Sequence, residues 1–170
     1  MTIPLRAPIH AVCFDWGGTL MTEDGPQELP MAQWPTVAAM PGAVACLAEL
    51  QGHVPLCLVT NAAVSRSPMI ERALERVGLQ SYITDIFCFT ELHFRKSQPE
   101  FWRAVEQRMG LPLNQIAMVG DSMEQDVLAP RNFGLQSVWF NSAGGRHEAQ
   151  TMVPTVTELE QFARLVRNAL

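Results

Sequence analysis

Four short stretches place reactive side chains directly after apolar runs: Asp15 in CFDWGGTL, Thr60 and Asn61 in LVTNA, Lys96 in HFRKSQPEFW, and Asp121 with Asp126 in MVGDSMEQD. A carboxylate at the tip of a buried strand points to chemistry, because burying a charge without a partner is costly. If Asp15 and Asp121 end neighbouring strands, their like charges need a cation between them, and oxygen ligands favour Mg2+. A cation flanked by a carboxylate nucleophile, the Lys96 ammonium and the Thr60 hydroxyl suits a phosphoryl group. Metal and ammonium neutralise its oxygens while the hydroxyl and turn amides donate to them. Gly17-Gly18 fits the same picture, since a turn without side chains lets backbone N–H groups approach an anion.

The surrounding elements must bring these residues to one edge. Strands are expected over His10–Asp15, Val54–Thr60, Ile86–Phe89, Gln115–Val119 and Gln136–Phe140. Each is rich in Val, Ile, Phe and Leu with little polar alternation, which means burial on both faces of a parallel sheet. Helices are expected over Ala43–Gln51, from Ser67-Pro68 to a stop at Gly78, and from a Ser97/Glu100 capping box to Gly110. Ser122 with Gln125 and Thr157 with Glu160 read as two further capping boxes. The alternation predicts a doubly wound, Rossmann-like α/β fold, a three-layer sandwich with a parallel sheet of about five strands. In such sheets ligands bind outside the carboxyl ends of the strands, where all four stretches fall. With 170 residues, no repeats and no linker, the chain reads as a single domain, 1–170. Segment 21–40, with its prolines and lack of period, lies near the mouth of the site and reads either as a loop that covers the sheet edge or as a short flap-like insertion that shapes access, with Trp34 or Glu23 reaching inward.

Composition narrows the function classes. Hydrophobic residues make up 48% and charged residues 17%, with a net charge of −5 and no basic block, so neither nucleic acid nor a membrane surface is expected as a partner. The four cysteines, Cys13, Cys46, Cys57 and Cys88, form no CxxC pair and sit largely in apolar runs, which suits reduced thiols in the cytoplasm. No apolar run reaches the ~20 residues of a membrane span, and MTIPLRAPIHAV lacks the apolar core of a signal peptide. His10, His53, His93 and His147 have no ligand spacing, and Arg66 and Arg95 read as solvated or paired rather than as phosphate contacts.

FDWGGTL resembles the first motif of the haloacid dehalogenase-like (HAD) hydrolase superfamily, whose members are mostly Mg2+-dependent phosphatases. LVTNA resembles the second motif, Lys96 with Pro99-Glu100-Phe101 the third, and MVGDSMEQD followed by Gly134 the fourth, in family order over residues 10–142. The resemblance implies Asp15 as a nucleophile that forms an aspartyl-phosphate, with catalytic support from Thr60 and Lys96. It implies Mg2+ held by Asp15, the backbone carbonyl of Gly17 and Asp121, with Asp126 supporting the metal or orienting Lys96. Gly17, Gly18, Thr60, Asn61 and Lys96 would bind the phosphorylated substrate, small or macromolecular. The short spacing between motifs resembles capless members, whose open sites take large substrates or use a neighbouring subunit as a lid, so a homo-oligomer is one expected arrangement.

Gly17 departs from the family pattern. Family phosphatases carry there a second aspartate that protonates the leaving oxygen and then activates the water. General acid–base help is worth ~10²–10⁴ in rate, most for alkyl phosphates and least for acyl or aryl ones. Three accounts stand open: Glu23 or Asp24 replaces the acid; the enzyme is slow or restricted to good leaving groups; or the chain is a metal- and phosphate-binding module that acts through a protein partner. Dehalogenase members also lack the second aspartate but work without Mg2+, and phosphonate-cleaving members need a cap lysine, whereas Lys96 is the one lysine of this chain.

Overall fold

The apolar runs become strands because their side chains find apolar partners on both sides. The computed structural model describes residues 2–170. Its strands are β1 (Ala11–Phe14), β2 (Leu56–Thr60), β3 (Asp85–Cys88), β4 (Ile116–Gly120), β5 (Gln136–Phe140) and β6 (Thr155–Val156). They form one sheet in the order β3-β2-β1-β4-β5-β6, with every adjacent pair parallel. The doubly wound expectation holds, with a sixth strand of two residues added at the edge beyond β5.

Alternate residues of each strand serve opposite layers. Val12 and Phe14 of β1 join Leu56, Leu58, Val119 and Val138 in a core covered by α1 (Ala43–Leu50), α2 (Ser67–Arg76) and α6 (Leu159–Arg167). Phe14 meets Phe162 of α6 edge to face, with ring centroids 5.6 Å apart; such a pair adds ~0.5–1.5 kcal/mol beyond area burial. Ala11 and Cys13 point the other way, joining Cys57, Val59 and Met118 under Phe101, Trp102 and Val105 of α4 (Pro99–Met109). The short helix α3 (Phe89–Leu92) follows β3 directly, taking Phe89 out of the expected strand. All four cysteines are free and buried. Among the described residues, no helix is long and apolar enough to cross a membrane.

Three of the expected caps shift by one residue. Arg66, Gln98 and Glu158 hold the N-cap positions of α2, α4 and α6, none with a side-chain cap bond. Proline explains the α4 case: Pro99 takes the first turn and favours extended backbone at the residue before it, so Gln98 becomes the cap. The Gln98 side chain instead accepts from the Arg95 backbone N–H at 2.8 Å. Ser67 lies inside α2 and donates its hydroxyl to Glu91 at 2.9 Å. Ser122 does cap, accepting from the Gln125 backbone N–H at 3.3 Å. The helix it opens is a π turn, Met123–Leu128, which continues into α5 (Ala129–Asn132).

Segment 21–40 is packed despite having no period. Met21, Met31 and Trp34 are buried in the α1/α2/α6 core. Met21 bridges to Gly17 on one side and to Ala39 on the other. Arg76 of α2 donates to the carbonyl oxygens of Trp34 at 2.7 Å, Ala32 at 3.1 Å and Pro35 at 3.3 Å.

Candidate active site

Strand order alone brings the reactive residues together. β1 is central, with β2 and β4 on either side, and the direction of winding reverses between β1 and β4. That switch point opens a crevice at the carboxyl ends of the strands. Asp15 follows β1, Thr60 ends β2, and Asp121 follows Gly120 at the end of β4. The Asp15 N–H donates to the Val119 carbonyl at 3.0 Å, locking the two strand ends in register. A cavity of about 490 Å³ lies above them, lined by Asp15, Gly17, Thr60, Asn61, Lys96, Asp121 and Asp126.

Lys96 enters from α4's side and reaches across the strand ends. Its Nζ donates to Asp15 Oδ1 at 2.8 Å and to Asp126 Oδ1 at 2.6 Å, and the residue is 2% exposed. Its backbone is held at both polar groups: the N–H donates to Asn61 Oδ1 at 2.8 Å, and the carbonyl accepts from the Trp102 indole at 2.7 Å. Burial alone lowers the Lys96 pKa, but Asp126 and Asp15 outweigh it, so the ammonium is held more firmly than in an ordinary lysine.

The carboxylates are crowded. Oxygens of Asp15, Asp121 and Asp126 lie within 4.8 Å of one another. Burial first and Asp15 second push Asp121 up to about 7, although its outer side is exposed and water screens part of that repulsion. Burial and Asp15 push Asp126 up to about 6, with Lys96 acting in the opposite sense. Three carboxylates sharing one ammonium leave uncompensated negative charge, and an all-oxygen donor set of this size fits a hard divalent cation such as Mg2+.

Other neighbours fix the geometry. Thr19 donates its hydroxyl to Asp15 Oδ2 at 3.0 Å, so both carboxylate oxygens of Asp15 are oriented. The Thr60 hydroxyl accepts from the Ala62 N–H at 3.0 Å and keeps its own proton for a ligand. Asn61 lines the cavity, yet its amide donates to Gln125 at 2.7 Å while its oxygen holds Lys96, so it buttresses the site. Asp126 Oδ2 accepts from the Ser122 N–H at 3.0 Å, a contact made by the π turn. Gly18 has φ +80°, and a Cβ there would run into the Asp121 carboxylate. A Cβ on Gly120 would run into that of Asp126. The Asp121 and Asp126 carboxylates thus pack close against the backbone at glycines.

Gly17 differs from those two glycines. Its φ lies outside the left-handed region, so the backbone there does not require glycine. A Cβ on Gly17 would sit 2.6 Å from Cδ of Glu23 and 2.9 Å from each of its carboxylate oxygens. Glu23 lines the cavity and Asp24 does not. Burial against the wall and the Asp15 charge raise the Glu23 pKa, with Lys96 lowering it.

The aromatic and basic residues around the site divide between the cavity wall and the surface. Trp34 and Trp16 both line the cavity, Trp16 with its indole directed at Met21 Sδ, 3.2 Å away. Arg66 pairs loosely with Glu91 at 3.9 Å, and Arg95 stacks over Phe89 at 4.2 Å, so neither arginine lines the cavity. Thr19 braces the Asp15 turn, as a hydroxyl at that place suggests, whereas the Trp102 and Gly120 contacts are not legible in the sequence. The T in GGTL, four residues after Asp15, was the available signal.

A sequence profile described as haloacid dehalogenase-like hydrolase matches residues 31–134. Pyrimidine 5'-nucleotidase YjjG of Escherichia coli (strain K12) is 33% identical over 129 residues, covering 72% of this chain and 56% of that protein. N-acylneuraminate-9-phosphatase of Rattus norvegicus is 33% identical over 102 residues, covering 59% of this chain and 40% of that protein. The chain thus spans about half the length of the curated relatives it matches. The crystal structure of a HAD phosphatase from Thermococcus onnurineus superimposes with a TM-score of 0.75 at 17% identity, covering 93% of this chain and 98% of that one, a likeness of fold.

Proposed function

This chain belongs to the haloacid dehalogenase-like hydrolase family, and on that premise we propose that it is a Mg2+-dependent phosphatase working through an aspartyl-phosphate on Asp15. The observation that carries the reading is the Asp15 carboxylate, oriented by Lys96 and Thr19 at the floor of an open cavity and faced by Asp121. Asp15, the Gly17 carbonyl and Asp121 would hold Mg2+, with Asp126 behind them, and the ion would draw charge from the phosphoryl oxygens. An Asp15 oxygen attacks phosphorus in line with the leaving oxygen. The Lys96 ammonium and the Thr60 hydroxyl hold the phosphoryl oxygens as charge builds on them. Gly18 adds backbone N–H groups without blocking approach. Water then cleaves the acyl-phosphate and returns Asp15.

The curated relatives' names point to phosphomonoesters of a nucleotide and of a sugar acid. Trp16, Leu29 and Trp34 in the cavity wall support a small phosphomonoester with an apolar or planar leaving part. We read the chain as one capless domain with segment 21–40 as its flap, and the free, buried cysteines support a cytoplasmic location. A second reading draws on the missing side chain at Gly17: a metal- and phosphate-binding module of low turnover that acts through a protein partner.

Phosphate release from acetyl phosphate and p-nitrophenyl phosphate, with and without Mg2+, separates the two when run beside Asp15→Asn. Release that needs both Mg2+ and Asp15 supports the enzyme. Equal background rates for wild type and variant leave the binding module.

A further inference from the structure

We infer that Glu23 supplies the acid–base group that the Asp15-Trp16-Gly17 turn lacks, an inference that rests on the phosphatase reading above. Two observations carry it. The Glu23 carboxyl occupies the volume that a side chain on residue 17 would enter, with both oxygens 2.9 Å from an ideal Cβ there. The backbone at Gly17 does not demand glycine, and the group that a side chain there would meet first is the Glu23 carboxyl.

The placement is built. The Gly18 N–H donates to the Met21 carbonyl at 2.7 Å, and the Thr22 N–H donates to Ala38 at 3.0 Å, which ties the residues before Glu23 to the nucleophile's own turn. Among the described residues Glu23 forms no ion pair. It lines the same cavity as Asp15, Thr60 and Lys96.

In the first half-reaction an Asp15 oxygen forms a bond to phosphorus and the bond from phosphorus to the leaving oxygen breaks. The bonding pair goes to that oxygen, which takes the Glu23 carboxyl proton and departs as an alcohol. In the second, the Glu23 carboxylate takes a proton from water as the water oxygen bonds to phosphorus. The acyl-phosphate P–O bond breaks, its electron pair returns to Asp15, inorganic phosphate leaves, and Glu23 is again protonated.

The test compares kcat/KM for acetyl phosphate, whose acetate leaves without a proton, and for 2-glycerophosphate, whose glycerol leaves as an alkoxide unless protonated. Intact-mass measurement of the phosphorylated enzyme runs beside it. Glu23→Gln is expected to lose ~10²-fold or more on 2-glycerophosphate, a far smaller factor on acetyl phosphate, and to accumulate the phosphorylated form. Gly17→Asp in a Glu23→Ala background, where the occupying carboxyl is gone, is expected to restore 2-glycerophosphate turnover relative to Glu23→Ala alone. Losses equal on both substrates, no loss on either, or a double variant as slow as Glu23→Ala overturns the assignment while wild-type turnover still depends on Asp15. A wild type no faster than Asp15→Asn on both substrates is a separate result. It removes the phosphatase reading, and the role of Glu23 goes with it.

Discussion

Replacing Lys96 with methionine tests the electrostatics of the site without any assumption about substrate. Lys96 sits 2.8 Å from Asp15 and 2.6 Å from Asp126, and at an effective dielectric near 20 each contact carries a Coulomb attraction of about 6 kcal/mol. Desolvation of the three groups offsets most of that. Removing one partner of a buried pair while leaving the others charged costs about 3–5 kcal/mol. For a chain of 170 residues this is a fall in Tm of about 6–20 °C. The pH dependence fixes the cause. A carboxyl whose folded pKa is raised contributes stability below its unfolded pKa and loses it as pH rises through the folded one. Asp126 stands raised, to about 6, even with Lys96 beside it, and loss of the ammonium raises it further. The deficit of Lys96→Met should therefore be smaller near pH 5, where Asp126 takes a proton and only the Asp15 contact is lost, than near pH 8. Thermal unfolding followed by circular dichroism in EDTA measures both, and adding Asp126→Asn should recover part of the loss. A fall below ~2 °C near pH 8, or equal deficits at both pH values, would refute Lys96 as the internal counter-ion.

Two further outcomes follow from the same contacts. Mg2+ at ~100 times its Kd should stabilise the wild type by about 2.7 kcal/mol near pH 8. The gain should shrink toward pH 5, because Asp121 and Asp126 take up protons near 7 and 6 and a neutral carboxyl is a poor ligand; equal Tm gains at both pH values would contradict the assignment. Arg76→Ala removes a guanidinium shared by the carbonyls of Ala32, Trp34 and Pro35, at a cost of about 1.5–3 kcal/mol. Hydrogen exchange and limited proteolysis should then concentrate in segment 21–40, and unchanged protection there would mean that Arg76 does not anchor it.

What was legible in the sequence divides along physical lines. The five longer strands were readable because burial on both faces imposes a continuous apolar run, and strand-end chemistry was readable because only there do charges interrupt it. β6 escaped because Thr155–Val156 is too short to show a pattern. The capping serines at 97 and 67 misled by one position, since a local signal cannot tell which of two adjacent polar residues will face the first turn. The π turn at Met123–Leu128 was hidden for a different reason. Within it Asp126 reaches Lys96, 30 residues away in the chain, and such a tertiary contact leaves no local pattern. Glu23 could be named from the sequence only as one of two candidates, because segment 21–40 has no period to set its path. Its position depends on the segment's own closing contact at Ala39 and on contacts with Gly17 and Arg76, which lie elsewhere in the fold.

The division between rigid and irregular parts bears on how the site would respond to change. Asp15, Thr60, Lys96 and Asp126 are all buried and are held by strands or by buried hydrogen bonds. Glu23 instead rides on a segment with two isolated bridge contacts and a guanidinium anchor. The phosphoryl group would be gripped by the rigid part, and the leaving group met by the irregular part. Loosening segment 21–40 should therefore act on the leaving-group step and spare the grip on phosphate. Arg76 makes the distinction accessible, because it touches none of Asp15, Asp121 and Asp126. In Arg76→Ala, kcat/KM for 2-glycerophosphate should fall more than that for acetyl phosphate. Inhibition by inorganic phosphate, which reads the rigid cradle alone, should hold. A parallel loss of phosphate binding would mean that the two parts are mechanically one.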